Sequence, residues 1–89
     1  MNWRVVFSPD ALKFLERNNL DEWVVVEKIS DAIRLFNGER VNINIRKLGG
    51  EWEGFYSIRK GKIRIIAEFR FNSFTAHIEK VDWRGNVYK

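Results

Sequence analysis

The sequence contains no cysteine. Neither a disulfide nor a thiolate metal site therefore supports the fold. Its single histidine, His77, leaves too few imidazoles for a zinc or copper site, which takes several imidazole or thiolate ligands. No apolar run is long enough for a signal peptide or a membrane span, so a cytoplasmic protein is the expectation. Repeats, low-complexity stretches and linkers are also lacking. The 89 residues hold one domain, 1–89, of a size that buries only a modest core. With 45% hydrophobic and 15% aromatic residues, that core has enough material, which excludes a disordered chain.

What is present is unevenly placed. Residues 1–38 carry five Lys/Arg and six Asp/Glu, whereas residues 39–89 carry eleven and six. The whole excess behind the formal charge of +4 thus sits in the second part of the chain. Such asymmetry suits a polyanionic partner, either nucleic acid or an acidic protein.

Trp3 to Phe7 reads as a short strand of β-branched and aromatic types. Ser8-Pro9-Asp10 then starts a helix: Ser8 caps, Pro9 has a pre-set φ, and Asp10 suits the positive end of the dipole. Ala11, Leu12 and Leu15 share its apolar face, and it ends between Arg17 and Asn19. A second helix is expected from Asn19, with Asn19 as cap and Glu22 as the capping-box carboxylate. Val25, Ile29, Ala32, Ile33 and Phe36 form its buried stripe, and Asn37-Gly38 stops it.

The texture then changes to alternation. Val41 to Ile45 is a short strand or an extended connector, and Leu48 to Glu51 is a turn. Phe55 to Lys60 and Ile63 to Phe71 form a tight hairpin about Gly61. Asn72-Ser73 turns the chain into a last strand, Thr75 to Trp83. The expected fold is α+β: an N-terminal strand, an antiparallel helix hairpin, then a three-stranded antiparallel meander (β-α-α-β-β-β) with the helices on one face.

Alternation also sorts the charged residues. Ser57 and Arg59 share one face of their strand, and Tyr56 and Ile58 take the other. Arg64, flanked by Ile63 and Ile65, leaves the core on the same open side. Two arginines on adjacent strands then face one groove, and planar guanidinium forks suit phosphate oxygens. Near the C-terminus, Arg84 and Tyr88 offer a cation and a phenol. Trp83 either stacks on a base or pins the tail to the sheet. His77, lone in a strand, is more often a structural residue; it becomes a candidate if its face matches that of Arg59.

Four segments together resemble the RelE/ParE superfamily of toxins: Arg46-Lys47-Leu48-Gly49-Gly50, Gly54-Phe55-Tyr56-Ser57-Ile58-Arg59, Gly61-Lys62-Ile63-Arg64-Ile65-Ile66 and Arg84-Gly85-Asn86-Val87-Tyr88-Lys89. Phe7-Ser8-Pro9-Asp10-Ala11 before a helix pair also fits, so the resemblance spans nearly the whole chain.

The resemblance implies the toxin of a type II toxin–antitoxin pair. Two branches share the fold. The Arg84-to-Tyr88 ending is similar to the RelE branch, whose members are ribosome-dependent endoribonucleases that cut mRNA without a metal or other cofactor. In that branch the ribose 2′-OH attacks its own 3′ phosphate and the 5′ oxygen leaves. By position, Arg59 corresponds to a basic residue of the first hairpin strand and Arg64 to the phosphate-binding arginine of the second. Arg84 matches a basic residue near the C-terminus, and Tyr88 matches the tyrosine that orients substrate. Lys47, Lys60 and Lys62 would give electrostatic footing on RNA, although Lys60 and Lys62 equally suit a hairpin turn.

Three positions depart from the pattern. Ser57 stands where many relatives have a cation, Trp83 where they often have histidine, and Asp82 where some have arginine. These departures thin the catalytic set. They keep open a ParE-like inhibitor of DNA gyrase, or a member that only binds antitoxin or RNA. In each toxin reading the partner is an acidic antitoxin whose disordered tail folds onto the basic toxin.

Overall fold

The computed structural model describes residues 2–85. Five strands and two helices follow one another as β1 (Arg4–Phe7), α1 (Pro9–Arg17), α2 (Trp23–Phe36), β2 (Asn44–Lys47), β3 (Tyr56–Lys60), β4 (Ile63–Arg70) and β5 (Thr75–Trp83), with a 3-10 turn at Gly50–Trp52. The strands form one sheet in the order β1-β5-β4-β3-β2. Strands β2 to β5 are antiparallel neighbours, and β1 closes the far edge parallel to β5. The fold class is the expected α+β, with the meander lengthened by β2.

Ser8 starts α1 as anticipated: its Oγ accepts from the Ala11 N–H at 3.0 Å, and Pro9 occupies the first turn. Ala11 and Leu15 are buried, but Leu12 is 41% exposed. At about 100° per residue the buried stripe is Ala11, Phe14 and Leu15, and Leu12 falls off its edge.

Asn19 does not cap α2. It has φ +53 and ends α1 instead. The Leu20 N–H reaches the Leu15 carbonyl and the Asn19 N–H reaches that of Glu16, which is a Schellman closure with Asn19 in the left-handed position. A helix cap needs extended backbone, so Asn19 cannot serve both ends. The first N–H of α2, that of Trp23, is met by Asp21 Oδ1 at 2.7 Å. At its other end α2 repeats the Schellman closure, with Gly38 at φ +89, as Asn37-Gly38 foretold.

The core lies between the helices and one face of the sheet. Val25, Ile29, Ala32 and Ile33 of α2 join Ile58, Ile63, Ile65, Ala67, Phe69, Ala76, Ile78 and Val81. Each fully buried large side chain among these contributes about 1.5–3 kcal/mol. Among the described residues no helix is long and apolar enough to cross a membrane.

Two departures from plain alternation set up the other face. The Ile43 N–H turns back to the Val41 carbonyl, so residues 41–43 are a tight turn and β2 begins only at Asn44. Within β5 the register slips opposite Ile66/Ala67: Ala67 pairs with Ile78, while Ile66 pairs with Lys80. Glu79 is the extra residue of a bulge. Ile78 and Val81 are consequently both buried, and Lys80 and Asp82 turn outward.

Candidate anion-binding groove

The two-residue turn between β3 and β4 has Gly61 at its first position with φ +64. It pairs Lys60 with Ile63 and thereby sets Arg59 directly opposite Arg64. Directly paired residues point to the same side of a sheet. Following the pairs outward gives a first row across four strands, Asn44, Arg59, Arg64 and Asp82, and a second row of Arg46, Ser57, Ile66 and Lys80. Both rows lie on the face away from the helices. Neighbouring strands stand about 4.8 Å apart, so each row is a line of closely spaced side chains.

A shallow cavity of about 50 Å³ opens here, lined by Asn44, Arg46, Ser57, Arg59 and Arg64. Ser57 in its lining is buried, and the neighbouring Ile66 is fully buried although it lies outside the core under the helices. The two rows hold four cations, Arg46, Arg59, Arg64 and Lys80, against one carboxylate, Asp82. Like charges set directly opposite destabilise a sheet. Two guanidinium forks side by side match the oxygens of a phosphate.

Of the residues singled out in the sequence, Ser57, Arg59 and Arg64 meet in this groove, and the other described candidates lie elsewhere. Arg84 sits at the end of the sheet, where its N–H donates to the Lys62 carbonyl at 2.9 Å and its Nη1 to the Gly61 carbonyl at 3.2 Å. With Gly61, Lys62 and Trp83 it lines a separate, open cleft of about 410 Å³. Trp83 turns to the helix side, edge-on to Phe14 with ring centres 5.3 Å apart. Lys60 is bound to Asp31 of α2 at 2.8 Å. Lys47 pairs with Tyr56, which packs against Phe36, and so lies on the helix side as well. His77 does share the open face, but it is opposite Glu68. Glu68 is four residues along β4 from Arg64, roughly 13 Å at the rise of a strand. Tyr88 lies outside the described residues.

The sequence does not assign Asn44, Arg46, Lys80 or Asp82 to the groove, although Arg46 lies in a segment that carries the resemblance and Asp82 is one of its departures. For the first pair the signal was alternation, left unused because residues 41–45 read as either a short strand or an extended connector. For the second pair the bulge at Glu79 inverts the apparent faces.

No protein-family model matches the chain, and no curated protein matches it. Solved structures do. A chain of the archaeal RelE–RelB complex from Pyrococcus horikoshii is 23% identical with a TM-score of 0.64, the match covering 98% of this chain and 100% of that one. The toxin–antitoxin complex RelBE2 of Mycobacterium tuberculosis gives 23% identity and a TM-score of 0.61, covering 94% and 100%. The YoeB–YefM toxin–antitoxin complex of Staphylococcus aureus gives 19% and 0.62, covering 94% and 99%. The chain shares the fold of these RelE-like toxins.

Proposed function

We propose that this protein is the toxin of a type II toxin–antitoxin pair and that it arrests growth by cutting mRNA on the ribosome. The observation that carries the reading is the Arg59–Arg64 cross-strand pair on the face of a RelE-like sheet turned away from the helices. Two adjacent forks bind a phosphodiester and stabilise the charge that builds on its oxygens as the neighbouring 2′-OH attacks. Arg46 and Lys80 extend the positive surface to flanking phosphates. Arginine stays protonated and supplies electrostatics, not proton transfer. Tyr88 would orient the substrate and Arg84 would meet RNA at the sheet end. Neither acts through a metal or cofactor in this reading.

The partner in this reading is an acidic antitoxin that covers the groove with a folding tail. A second surface suits a protein partner too. Phe71 and Phe74 are about half exposed and stack edge-on around Trp3, and clustered exposed aromatics mark interaction sites.

The test is induced expression in a bacterium, followed by primer extension on an abundant mRNA. Cuts confined to translated regions, lost when translation is blocked and lost in a folded Arg64→Ala variant, are the expected result. Full toxicity of that variant would sink the proposal. One feature favours the gyrase reading: buried Ser57 takes a place where a catalytic cation is usual in the resembling toxins. Growth arrest with intact mRNA and inhibited supercoiling in vitro would favour it.

A further inference from the structure

The first groove row contains one carboxylate, that of Asp82. We propose that Asp82 is the general base of the cleavage reaction, taking the proton from the attacking 2′-OH. This rests on the ribonuclease reading above.

The row runs Asn44, Arg59, Arg64, Asp82. A phosphate held by the two arginines is therefore flanked by Asn44 on the β2 side and Asp82 on the β5 side. Asp82 is one strand from Arg64 and two from Arg59, about 5 and 10 Å at sheet spacing. The attacking 2′-OH belongs to the ribose that carries this phosphate, so it emerges within reach of one flank. An Asn44 amide cannot accept the proton, and neither can a guanidinium. Ser57 is buried in the floor of the second row, and His77 lies roughly 13 Å away along the strands. Asp82 is the one carboxylate in the two rows.

Its orientation is held. The Trp83 N–H donates to Asp82 Oδ1 at 2.7 Å, which fixes the carboxylate on its backbone. Asp82 is half-buried, not swept into bulk solvent. The bulge at Glu79 places it there; without the extra residue Asp82 would face the helices.

The step balances. The Asp82 carboxylate takes the 2′-OH proton as the O2′–P bond forms. The P–O5′ bond breaks with its electron pair on O5′, which takes a proton from solvent water. The products are a 2′,3′-cyclic phosphate and a free 5′-OH, and Asp82 returns its proton to solvent. No oxidant or reductant is involved.

The experiment is single-turnover cleavage of a short mRNA set in the decoding site of purified ribosomes. The full-length wild type is compared with Asp82→Asn, Asp82→Ala and Arg64→Ala, with and without added formate. Asn keeps an oxygen for the Trp83 N–H, so near-ultraviolet circular dichroism should match the wild type. We expect Asp82→Asn to cut at least about 100-fold more slowly, the range of general base catalysis. Formate should restore cutting by Asp82→Ala in proportion to its concentration, and should do nothing for Arg64→Ala. Rescue by a small carboxylate is not expected of a purely structural residue. Cutting by Asp82→Asn as fast as, or faster than, the wild type would overturn the inference and leave the ribonuclease reading intact. So would slow cutting by Asp82→Ala with no formate rescue. A wild type that does not cut removes the ribonuclease reading, and the base with it.

Discussion

The hydroxyl of Ser8 joins two elements that lie 71 residues apart: it accepts from the Ala11 N–H and donates to the Glu79 carbonyl at 2.7 Å. One side chain thus caps α1 and satisfies the bulged residue of β5. Ser8→Ala removes both bonds. The expected cost is about 1–2 kcal/mol, typical of a lost cap. A domain of this size should then melt roughly 4–8 °C lower for each kcal/mol. An unchanged melting temperature would show that the bond to Glu79 is dispensable.

Asn19 closes α1 at φ +53, a conformation glycine adopts freely and alanine resists. Asn19→Gly should preserve or raise stability, whereas Asn19→Ala should lower it by about 1 kcal/mol. Urea denaturation of the pair reads the difference directly. Equal midpoints would contradict the left-handed assignment.

Arg46 and Lys80 flank the second row, so each should contact a phosphate. Binding of a short single-stranded RNA, measured over a range of salt, should weaken for Arg46→Gln, with a log–log slope shallower by about 0.7. Lys60→Gln should leave the slope unchanged, because Lys60 is held against Asp31 on the helix side. Its exposed ion pair should contribute less than about 1 kcal/mol to stability. A slope that changes for Lys60 and not for Arg46 would reverse the assignment of faces.

Trp83 and Arg64 should separate stability from activity. Trp83→Ala loses the edge-on contact with Phe14, worth about 0.5–1.5 kcal/mol beyond simple burial. The variant should melt earlier and still arrest growth at permissive temperature. Arg64→Ala should stay folded and be harmless. A folded Trp83→Ala that is harmless would move Trp83 into the RNA-binding surface.

Much of this was legible in the chain because simple periods governed it. Val25, Ile29, Ala32 and Ile33 announced the buried stripe of α2, and Arg59 and Arg64 announced the groove through strict alternation on either side of Gly61. Reading failed where the period broke. The tight turn at residues 41–43 moves β2 on to Asn44–Lys47, so Arg46 lies inside a strand that the alternation of 41–45 ended before it. The bulge at Glu79 exchanged the faces of everything after it, so no count from Ala76 or Ile78 puts Asp82 beside Arg64. Asn19 and Glu22 had the residue types of a capping box, but the left-handed turn that ends α1 had prior claim on Asn19. The parallel partnership of β1 with β5 leaves no local mark at all, since it depends on which edge of the finished sheet remains open.

That partnership bears on when the molecule becomes competent. Arg4 pairs with Thr75, and the first strand must wait for the last before it has a neighbour. During synthesis β1, α1 and α2 emerge with apolar faces and no sheet to cover. Contacts this distant in sequence fold slowly, because the chain between them must be ordered first. The two rows across the groove need β5 as well, for Lys80 and Asp82. A nascent chain therefore lacks the β5 ends of both rows until its last strand has docked.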